Sequence, residues 1–149
     1  MDYADEALQA DKDVVIVAVR QNGFALKYAQ KTLQADKGVV MVAVSQSPLA
    51  LLKADEALRA DKEVMMVVVS QVGMALSYAD KTLRDDRDVV IAAVSQHWPA
   101  LFYVDKALQA DKYVLAAAAS QNWKILKHEL RADKAVVMAA ASRNGKILK

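Results

Sequence analysis

The feature that most restricts the fold of this chain is an internal repeat of 25 residues. The segment ADKDVVIVAVRQNG begins at residue 10 and returns in altered form at residues 35, 60, 85, 110 and 132. One leucine precedes the Asp-Lys pair of each copy, at steps of 25, 25, 25, 25 and 22 residues: Leu8, Leu33, Leu58, Leu83, Leu108 and Leu130. A fixed period of this length is typical of a repeat protein whose units stack on one another.

A finer alternation divides the copies into odd and even ones. Ala7, Ala57 and Ala107 occupy a position that holds Thr32 and Thr82 in the other copies. The structural module is therefore expected to be a pair of repeats, about fifty residues long.

Each repeat contains two apolar segments, and the second one is ambiguous by itself. The run VVIVAV after Asp13 is rich in β-branched residues, as a buried strand would be. Strands here would make the chain a strand–helix solenoid with dimensions like those of leucine-rich repeats. The fifth copy, however, has Leu115 followed by four alanines in this place. Because equivalent positions should share one backbone conformation and alanine favours helix, the segment is predicted to be a buried helix.

The first segment has the spacing of an amphipathic helix. Leu26, Ala29 and Leu33 are three and four residues apart and form one apolar stripe. Together the two segments predict an all-α fold, an α-solenoid of six helix-turn-helix repeats of about 25 residues. Residues 1–149 are expected to form a single domain with both ends cut within a repeat.

Capping residues mark the boundaries of the second helix. An aspartate stands at the N-cap position of every copy: Asp11, Asp36, Asp61, Asp86, Asp111 and Asp133. Its carboxylate can accept hydrogen bonds from the first free N–H groups of the helix. Gly23, Gly73 and Gly145 lie where the helix ends, and they are expected to adopt the left-handed conformation of a C-cap. Pro48 and Pro99 are expected to stop the helix in the second and fourth copies.

The repeated phrase resembles a known tandem repeat. Across the copies it reads LRADK, an acidic residue, VV, two variable positions, AV and, after one more, QNG. This resembles the units LRADKEVVLAAVxQNGxALxYA of a helical domain-of-unknown-function family, number four-one-one-six. The resemblance covers essentially the whole chain and implies a helical repeat fold without implying an activity. The sixth copy departs from it by lacking three residues, and the fourth and fifth copies replace the Asn-Gly stop with HWP and NW.

Composition excludes several classes of protein. With 55% hydrophobic and 26% charged residues the chain is not disordered, and without cysteine it can hold neither a disulfide nor a zinc-thiolate site. The N-terminal MDYADEAL is acidic and lacks the apolar stretch of a secretory signal. The apolar runs are too short to span a bilayer. These features favour an intracellular, reducing compartment.

The sequence contains no motif for catalysis. His97 and His128 have no serine or acidic partner at a recognisable spacing, and the four glycines form no phosphate-binding loop. Asp85, Asp86 and Asp88 are interpreted as the cap and first turn of a helix rather than as paired catalytic carboxylates. The chain is therefore expected not to be an enzyme, and no metal or cofactor is expected.

Basic residues suggest two contacts with anions. A Lys or Arg follows the capping aspartate in every copy, so stacking would align a cationic row able to follow a phosphate backbone. The neighbouring aspartates cancel most of its field, which favours a solvated first-turn residue instead. Residues 121–149 hold seven basic and two acidic residues. The candidates there for contact with an anion are Lys124, Lys127, Arg131, Lys146 and Lys149.

Aromatic residues are concentrated between residues 98 and 123. Trp98, Phe102, Tyr113 and Trp123 depart from the repeat consensus, whereas Tyr103 shares its position with Tyr3, Tyr28 and Tyr78. Tryptophan and tyrosine are favoured anchors at protein interfaces, so these four are candidates for binding a partner. The alternative is that the rings fill core volume left by the alanines of the fifth copy.

These features together favour a protein-binding role. The chain is expected to be a non-enzymatic helical repeat scaffold or protein-binding module and a small subunit of a larger assembly. Its partner is expected to be another protein, or another copy joined through the half-repeats at the ends, which are acidic at residues 2–6 and basic at residues 146–149. The alternative is a nucleic-acid-binding solenoid that uses the basic C-terminal segment, and salt dependence would separate the two.

Overall fold

Three kinds of helix alternate along the described part of the chain: a single turn, a longer α-helix and a six-residue 3₁₀-helix. The computed structural model describes residues 5–122, 124, 126, 131 and 133–143. The chain divides into two compact units, residues 1–71 and 72–149. The helices of the first unit are α1 (Glu6–Gln9), α2 (Lys12–Gln21), η1 (Gly23–Tyr28), α3 (Lys31–Gln34), α4 (Lys37–Gln46), η2 (Pro48–Lys53), η3 (Glu56–Ala60) and α5 (Lys62–Gln71), where η denotes a 3₁₀-helix.

The second unit continues the same order of elements. Its helices are η4 (Gly73–Tyr78), α6 (Lys81–Arg84), α7 (Arg87–Gln96), η5 (Trp98–Tyr103), α8 (Lys106–Gln109), α9 (Lys112–Ala119) and α10 (Lys134–Arg143). No strand occurs among the residues that the structure describes. The prediction of an all-α helical repeat fold is confirmed, and the ambiguous second segment is a helix in every copy. That the chain forms a single domain stays a prediction.

The first segment, residues 23–34 in the second copy, is divided more finely than its apolar stripe predicts. Residues 23–28 form η1 and residues 31–34 form α3, with Ala29 in an extended conformation between them (φ −68°, ψ 151°). Leu26, Ala29 and Leu33 are nevertheless all buried. The stripe therefore faces the core as predicted, although the backbone that carries it is broken at Ala29.

Within each unit, neighbouring repeats stack through their longer helices. In the first unit α2 packs against α4 and α4 against α5, and in the second unit α7 packs against α9 and α9 against α10. Valines from both ends of α2 and α4 fill the first core: Val15, Val19, Val39, Val40 and Val44, all 0% exposed. Each fully buried aliphatic side chain stabilises the fold by about 1.5–3 kcal/mol.

The aspartate caps are present at all six predicted positions. Asp11 Oδ1 accepts hydrogen bonds from the N–H groups of Asp13 (2.9 Å) and Val14 (3.1 Å). The same arrangement recurs at Asp36, Asp61, Asp86, Asp111 and Asp133. A second set of aspartates, which were not predicted to be caps, caps the short helices: Asp5, Asp55, Asp80 and Asp105.

The prediction of left-handed glycines is wrong for Gly23 and Gly73, and Gly145 lies outside the described residues. No described residue has a positive φ. A Cβ at Gly23 would instead lie inside van der Waals contact of the Ala43 carbonyl oxygen and 2.9 Å from Ser47 Cβ, both in the next repeat. Glycine is needed here because two repeats approach each other closely, not because of its conformational freedom.

Candidate binding surfaces

In the first, second, fourth and fifth copies, the cation of the Asp-Lys pair reaches the aspartate cap of the following repeat. In the first unit, Lys12 Nζ lies 2.7 Å from Asp36 Oδ2 and Lys37 Nζ lies 2.9 Å from Asp61 Oδ2. Lys37 also pairs with Glu63 at 2.8 Å. Each aspartate therefore caps its own helix and holds the repeat before it. In these two pairs the lysine is neither simply solvated nor part of an open cationic row.

The second unit contains two pairs of the same kind. The four pairs are together called the ladder: Lys12–Asp36, Lys37–Asp61, Arg87–Asp111 and Lys112–Asp133. Arg87 Nη2 lies 2.8 Å from Asp111 Oδ2, and Lys112 Nζ lies 2.6 Å from Asp133 Oδ2. All of these cations are partly exposed, so each pair alone stabilises the fold little. Because the pairs recur from copy to copy, they define the register in which the repeats stack. They also neutralise the positive charges that would otherwise pair with a phosphate backbone. The row is therefore a poor candidate for a nucleic-acid surface.

The ladder also sets the ionisation of its members. A hydrogen bond from Lys12 lowers the pKa of Asp36, and a hydrogen bond from Lys37 lowers the pKa of Asp61. Glu63 and then Asp61 raise the pKa of Lys37. The cause is the same in each case, because a charged hydrogen-bond partner favours the charged form.

The glutamine that ends α4 and the one that ends α7 form a second link between repeats. Gln46 Oε1 accepts a hydrogen bond from the Gly23 N–H at 2.8 Å, and Gln96 Oε1 accepts one from the Gly73 N–H at 2.7 Å. At the corresponding place Pro48 has no N–H to donate, and Gln71 Nε2 donates to the Val67 carbonyl of its own helix instead (3.2 Å). The repeated phrase does not reveal this link, because the donated N–H groups belong to the preceding repeat.

Two of the aromatic candidates form a pair on the surface of the second unit. Trp98 is half-buried and Phe102 is 73% exposed, and their ring centroids are 6.0 Å apart with the planes tilted by 59°. Phe102 therefore does not fill core volume. The alanines of α9 are buried without it, and two of them, Ala116 and Ala119, lie in a cluster with Leu126, Val136 and Ala140. Trp123 lies outside the described residues.

The third aromatic candidate has a contact within the fold. Tyr113 is 55% exposed, and the guanidinium of Arg87 lies 4.5 Å from its ring centroid. In the copy where Arg replaces the usual Lys of the ladder, an aromatic ring at the next repeat supports it by a cation–π contact. This contact explains the departure of Tyr113 from the consensus. The structure thus groups Trp98 with Phe102 and gives Tyr113 a different partner.

The basic C-terminal candidates are only partly described. Lys124 is exposed. Arg131 donates from Nε to the Leu126 carbonyl (3.0 Å) and from Nη2 to the Lys124 carbonyl (3.3 Å), so its guanidinium serves the backbone of its own repeat. Lys127, Lys146 and Lys149 lie outside the described residues.

Each unit has a cleft that was not anticipated from the sequence. The cleft of the first unit has a volume of about 390 Å³, and its walls include Lys31, Gln34, Leu52, Lys53 and Asp55. The cleft of the second unit, about 290 Å³, is lined by the residues fifty positions later: Lys81, Arg84, Phe102, Tyr103 and Asp105. The alternation noticed at Ala7 and Thr32 is thus accompanied by a recurring surface feature. Exposed Phe102 belongs to both the aromatic pair and this cleft.

The acidic residues near residue 85 have structural roles. Asp85 ends α6, Asp86 caps α7 and Asp88 lies in the first turn of α7. Within the described ranges, no three His, Cys, Asp or Glu side chains cluster as a metal site would require. None of the helices in the described part of the chain has the length and apolarity needed to cross a membrane.

Comparison with known proteins identifies the repeat. The family model described as "Domain of unknown function (DUF4116)" matches residues 1–34, 11–59, 36–84 and 61–109 in four overlapping segments. No curated protein and no solved structure matches the chain.

Proposed function

Since the chain belongs to the DUF4116 family, whose description gives no activity, we propose from its surfaces that it is a non-enzymatic helical repeat scaffold that binds a protein partner. The contact is made by an aromatic surface, defined as Trp98 and Phe102, on the second unit. In this role the chain serves as a small subunit of a larger assembly.

The observation that carries the proposal is the exposure of Phe102. A phenylalanine that is 73% exposed leaves most of its apolar area in water, and it contributes little to the stability of the free chain. Trp98 supports the ring from one side, so the aromatic surface is already ordered before a partner arrives. Ordered aromatic side chains bind with a small entropic cost and are frequent hot spots of interfaces.

Other exposed apolar residues support the same role. Phe24, Leu49 and Met74 occupy equivalent positions just after the start of the 3₁₀-helices, and each keeps 37–39% of its surface exposed. An apolar side chain retained at an exposed position in successive copies is better explained by contact with a partner than by packing within a repeat.

Site-specific photocrosslinking tests the proposal. A photoreactive phenylalanine analogue is placed at position 102 of the full chain in its source cells, and crosslinked products are identified by mass spectrometry. The matched control carries the analogue at position 77, because Ser77 is the equivalent residue of the preceding repeat. We expect one protein to be crosslinked at 102 and not at 77, and its capture should persist at high salt.

The nucleic-acid alternative predicts a different result. A chain that binds phosphate through Lys124 and its basic neighbours would carry nucleic acid at low salt and lose it at high salt. Size-exclusion chromatography with absorbance at the protein and nucleic-acid wavelengths, at both salt concentrations, detects this. Nucleic acid in the peak together with no protein crosslinked at position 102 would overturn the proposal.

A further inference from the structure

The cleft of the first unit, lined by Lys31, Gln34, Leu52, Lys53 and Asp55, carries positive charge that its surroundings do not neutralise. Lys31 Nζ donates to the neutral amide oxygen of Gln34 at 3.2 Å. Among the described residues, neither Lys31 nor Lys53 forms an ion pair. Both lysines are exposed and line the same cavity of about 390 Å³.

The two carboxylates of this cleft, Asp55 and Glu56, already have partners within the fold. Asp55 caps η3, and its Oδ1 accepts the Ala57 N–H at 2.9 Å. Glu56 lies 3.6 Å from Arg59, which follows it by three positions on the same helix. Because a helix N-terminus and an arginine balance these two carboxylates, the charge available to a ligand is that of the lysines.

The floor of the cleft is ordered and fully hydrogen-bonded. Gln34 is only 8% exposed, and its Nε2 donates to the carbonyls of Ala29 (2.9 Å) and Lys27 (3.3 Å). Leu52 adds an apolar wall, with 38% of its surface exposed. The cleft thus combines a fixed floor, two lysines and one apolar contact.

The equivalent cleft of the second unit shows that this charge is specific to the first. The first cleft is lined by three basic and two acidic residues, a formal charge of +1: Lys27, Lys31, Lys53, Asp55 and Glu56. The second is lined by two basic and two acidic residues, a formal charge of zero: Lys81, Arg84, Asp85 and Asp105. Phe102 and Tyr103 replace Leu52 and Lys53. The same backbone framework therefore presents an aromatic cleft in one unit and a cationic cleft in the other.

We propose that the cleft of the first unit binds an acidic peptide segment of a partner protein. Carboxylates of the segment contact Lys31 and Lys53, and an apolar side chain of the segment packs on Leu52. A continuous polyanion such as nucleic acid suits the site less well, because the apolar wall of Leu52 offers nothing to phosphate. The inference rests on the proposed function only in taking the partner to be a protein, and it uses different residues.

Fluorescence anisotropy with labelled peptides tests this site in the full chain. The probes are three short peptides of equal length: alternating Glu and Leu, alternating Lys and Leu, and alternating Ser and Leu. We expect the Glu-Leu peptide to bind and the other two not to bind, with affinity falling as salt rises. The double variant Lys31→Glu, Lys53→Glu should weaken binding by about tenfold or more, the expected loss of two charge-assisted contacts.

The matched control is the double variant Lys81→Glu, Lys106→Glu, which changes the net charge equally in the second unit. It should bind the Glu-Leu peptide like the natural chain, and circular dichroism should show both double variants folded. Equal weakening by both double variants, no binding of the Glu-Leu peptide, or tighter binding of a labelled single-stranded oligonucleotide that depends on Lys31 and Lys53 would each overturn the inference. Loss of the crosslink at position 102 with peptide binding intact would contradict only the proposed function.

Discussion

At the scale of single residues, position 23 requires glycine because the backbone of the neighbouring repeat lies against it. The Cβ of any other residue would meet the Ala43 carbonyl oxygen, which cannot move without shifting α4. Gly38 differs because its added Cβ would lie 3.1 Å from the side-chain oxygen of Asp36. The sixth copy accommodates a Cβ at the equivalent position, where the Ala135 N–H donates to the capping Asp133 at 3.0 Å.

We therefore expect opposite effects from two glycine substitutions. Gly23→Ala should lower the free energy of unfolding by about 1–3 kcal/mol, the usual cost of overpacking. Gly38→Ala should raise it by about 0.5–1 kcal/mol, because glycine is unfavourable within a helix. Urea denaturation followed by circular dichroism measures both. Equal effects of the two substitutions would contradict the close approach of the repeats at Gly23.

The aromatic surface formed by Trp98 and Phe102 gives a second prediction at this scale. Phe102→Ser should change the free energy of unfolding by no more than about 0.5 kcal/mol, because the ring is mostly exposed. Leu26→Ala, at a position that is 0% exposed, should lower it by about 2–5 kcal/mol. Thermal and urea unfolding provide the comparison. A large loss of stability in Phe102→Ser would mean that the ring supports the fold and is not reserved for a partner.

The residues differ in how far the sequence could predict them. The aspartate caps were predictable because a cap bonds to the N–H groups of its own helix, two and three positions away. The role of Gly23 was not, because it depends on a carbonyl of the next repeat, and a glycine after a helix looks the same in both cases. The exposure of Phe102 was not predictable either, because an aromatic residue close to an alanine run could equally well fill the core or contact a partner.

At the scale of elements, one aspartate links the start of a helix to the repeat before it. Asp61 accepts the Val64 N–H of α5 at 3.1 Å and pairs with Lys37 of α4 at 2.9 Å. Asparagine caps a helix about as well as aspartate but carries no charge. Alanine can neither cap the helix nor form an ion pair. The two functions of Asp61 can therefore be separated by substitution.

We expect Asp61→Asn to be destabilising by less than Asp61→Ala. The alanine variant should lose a further amount of about 1 kcal/mol, the cost of a missing N-cap. The effect of Asp61→Asn should fade at high salt, which screens the pair with Lys37, while the additional effect of alanine should remain. Urea denaturation at low and high salt measures both. Identical stabilities of the two variants would show that Asp61 does not cap α5.

The elements themselves were only partly predictable. The longer helix was identified because the fifth copy replaces β-branched residues with alanine, which removes the strand alternative. The division of the first segment at Ala29 was hidden, since its apolar stripe continues across the break. The clefts were hidden as well, because Lys31 and Lys53 are brought to one cavity only when the second and third copies stack.

At the scale of the whole molecule, the ladder makes stability depend on pH. The pKa values of the four carboxyls in the ladder lie below the ordinary value: Asp36, Asp61, Asp111 and Asp133. Burial raises the pKa of Asp111, but the hydrogen bonds from the Val114 N–H and from Arg87 outweigh it, so this pKa is lowered. The pKa values of Lys37 and Lys112 are raised by their carboxylate partners. Because the pKa values change in the same direction in several copies, their small contributions to the free energy of unfolding add up.

The sign follows from linkage. A carboxyl whose pKa is lowered by folding adds stability above its unfolded value of about 4, and that stability is lost as pH falls through the folded value. A lysine whose pKa is raised adds stability below its unfolded value of about 10.4, and that stability is lost as pH rises through the folded value. Stability should therefore be greatest between these limits and should fall first on the acid side of about pH 4.

We expect the melting temperature to be nearly constant around neutral pH and to drop steeply below about pH 4. In the quadruple variant Lys12→Gln, Lys37→Gln, Arg87→Gln, Lys112→Gln the acid drop should be shallower, because the ladder partners no longer lower the pKa values of the capping aspartates. It should not vanish, since the backbone N–H groups at each cap still favour the carboxylate. Thermal unfolding followed by circular dichroism across this pH range distinguishes the cases. An acid drop of equal size in both proteins would assign the acid sensitivity to the caps alone and leave the ladder with no part in it.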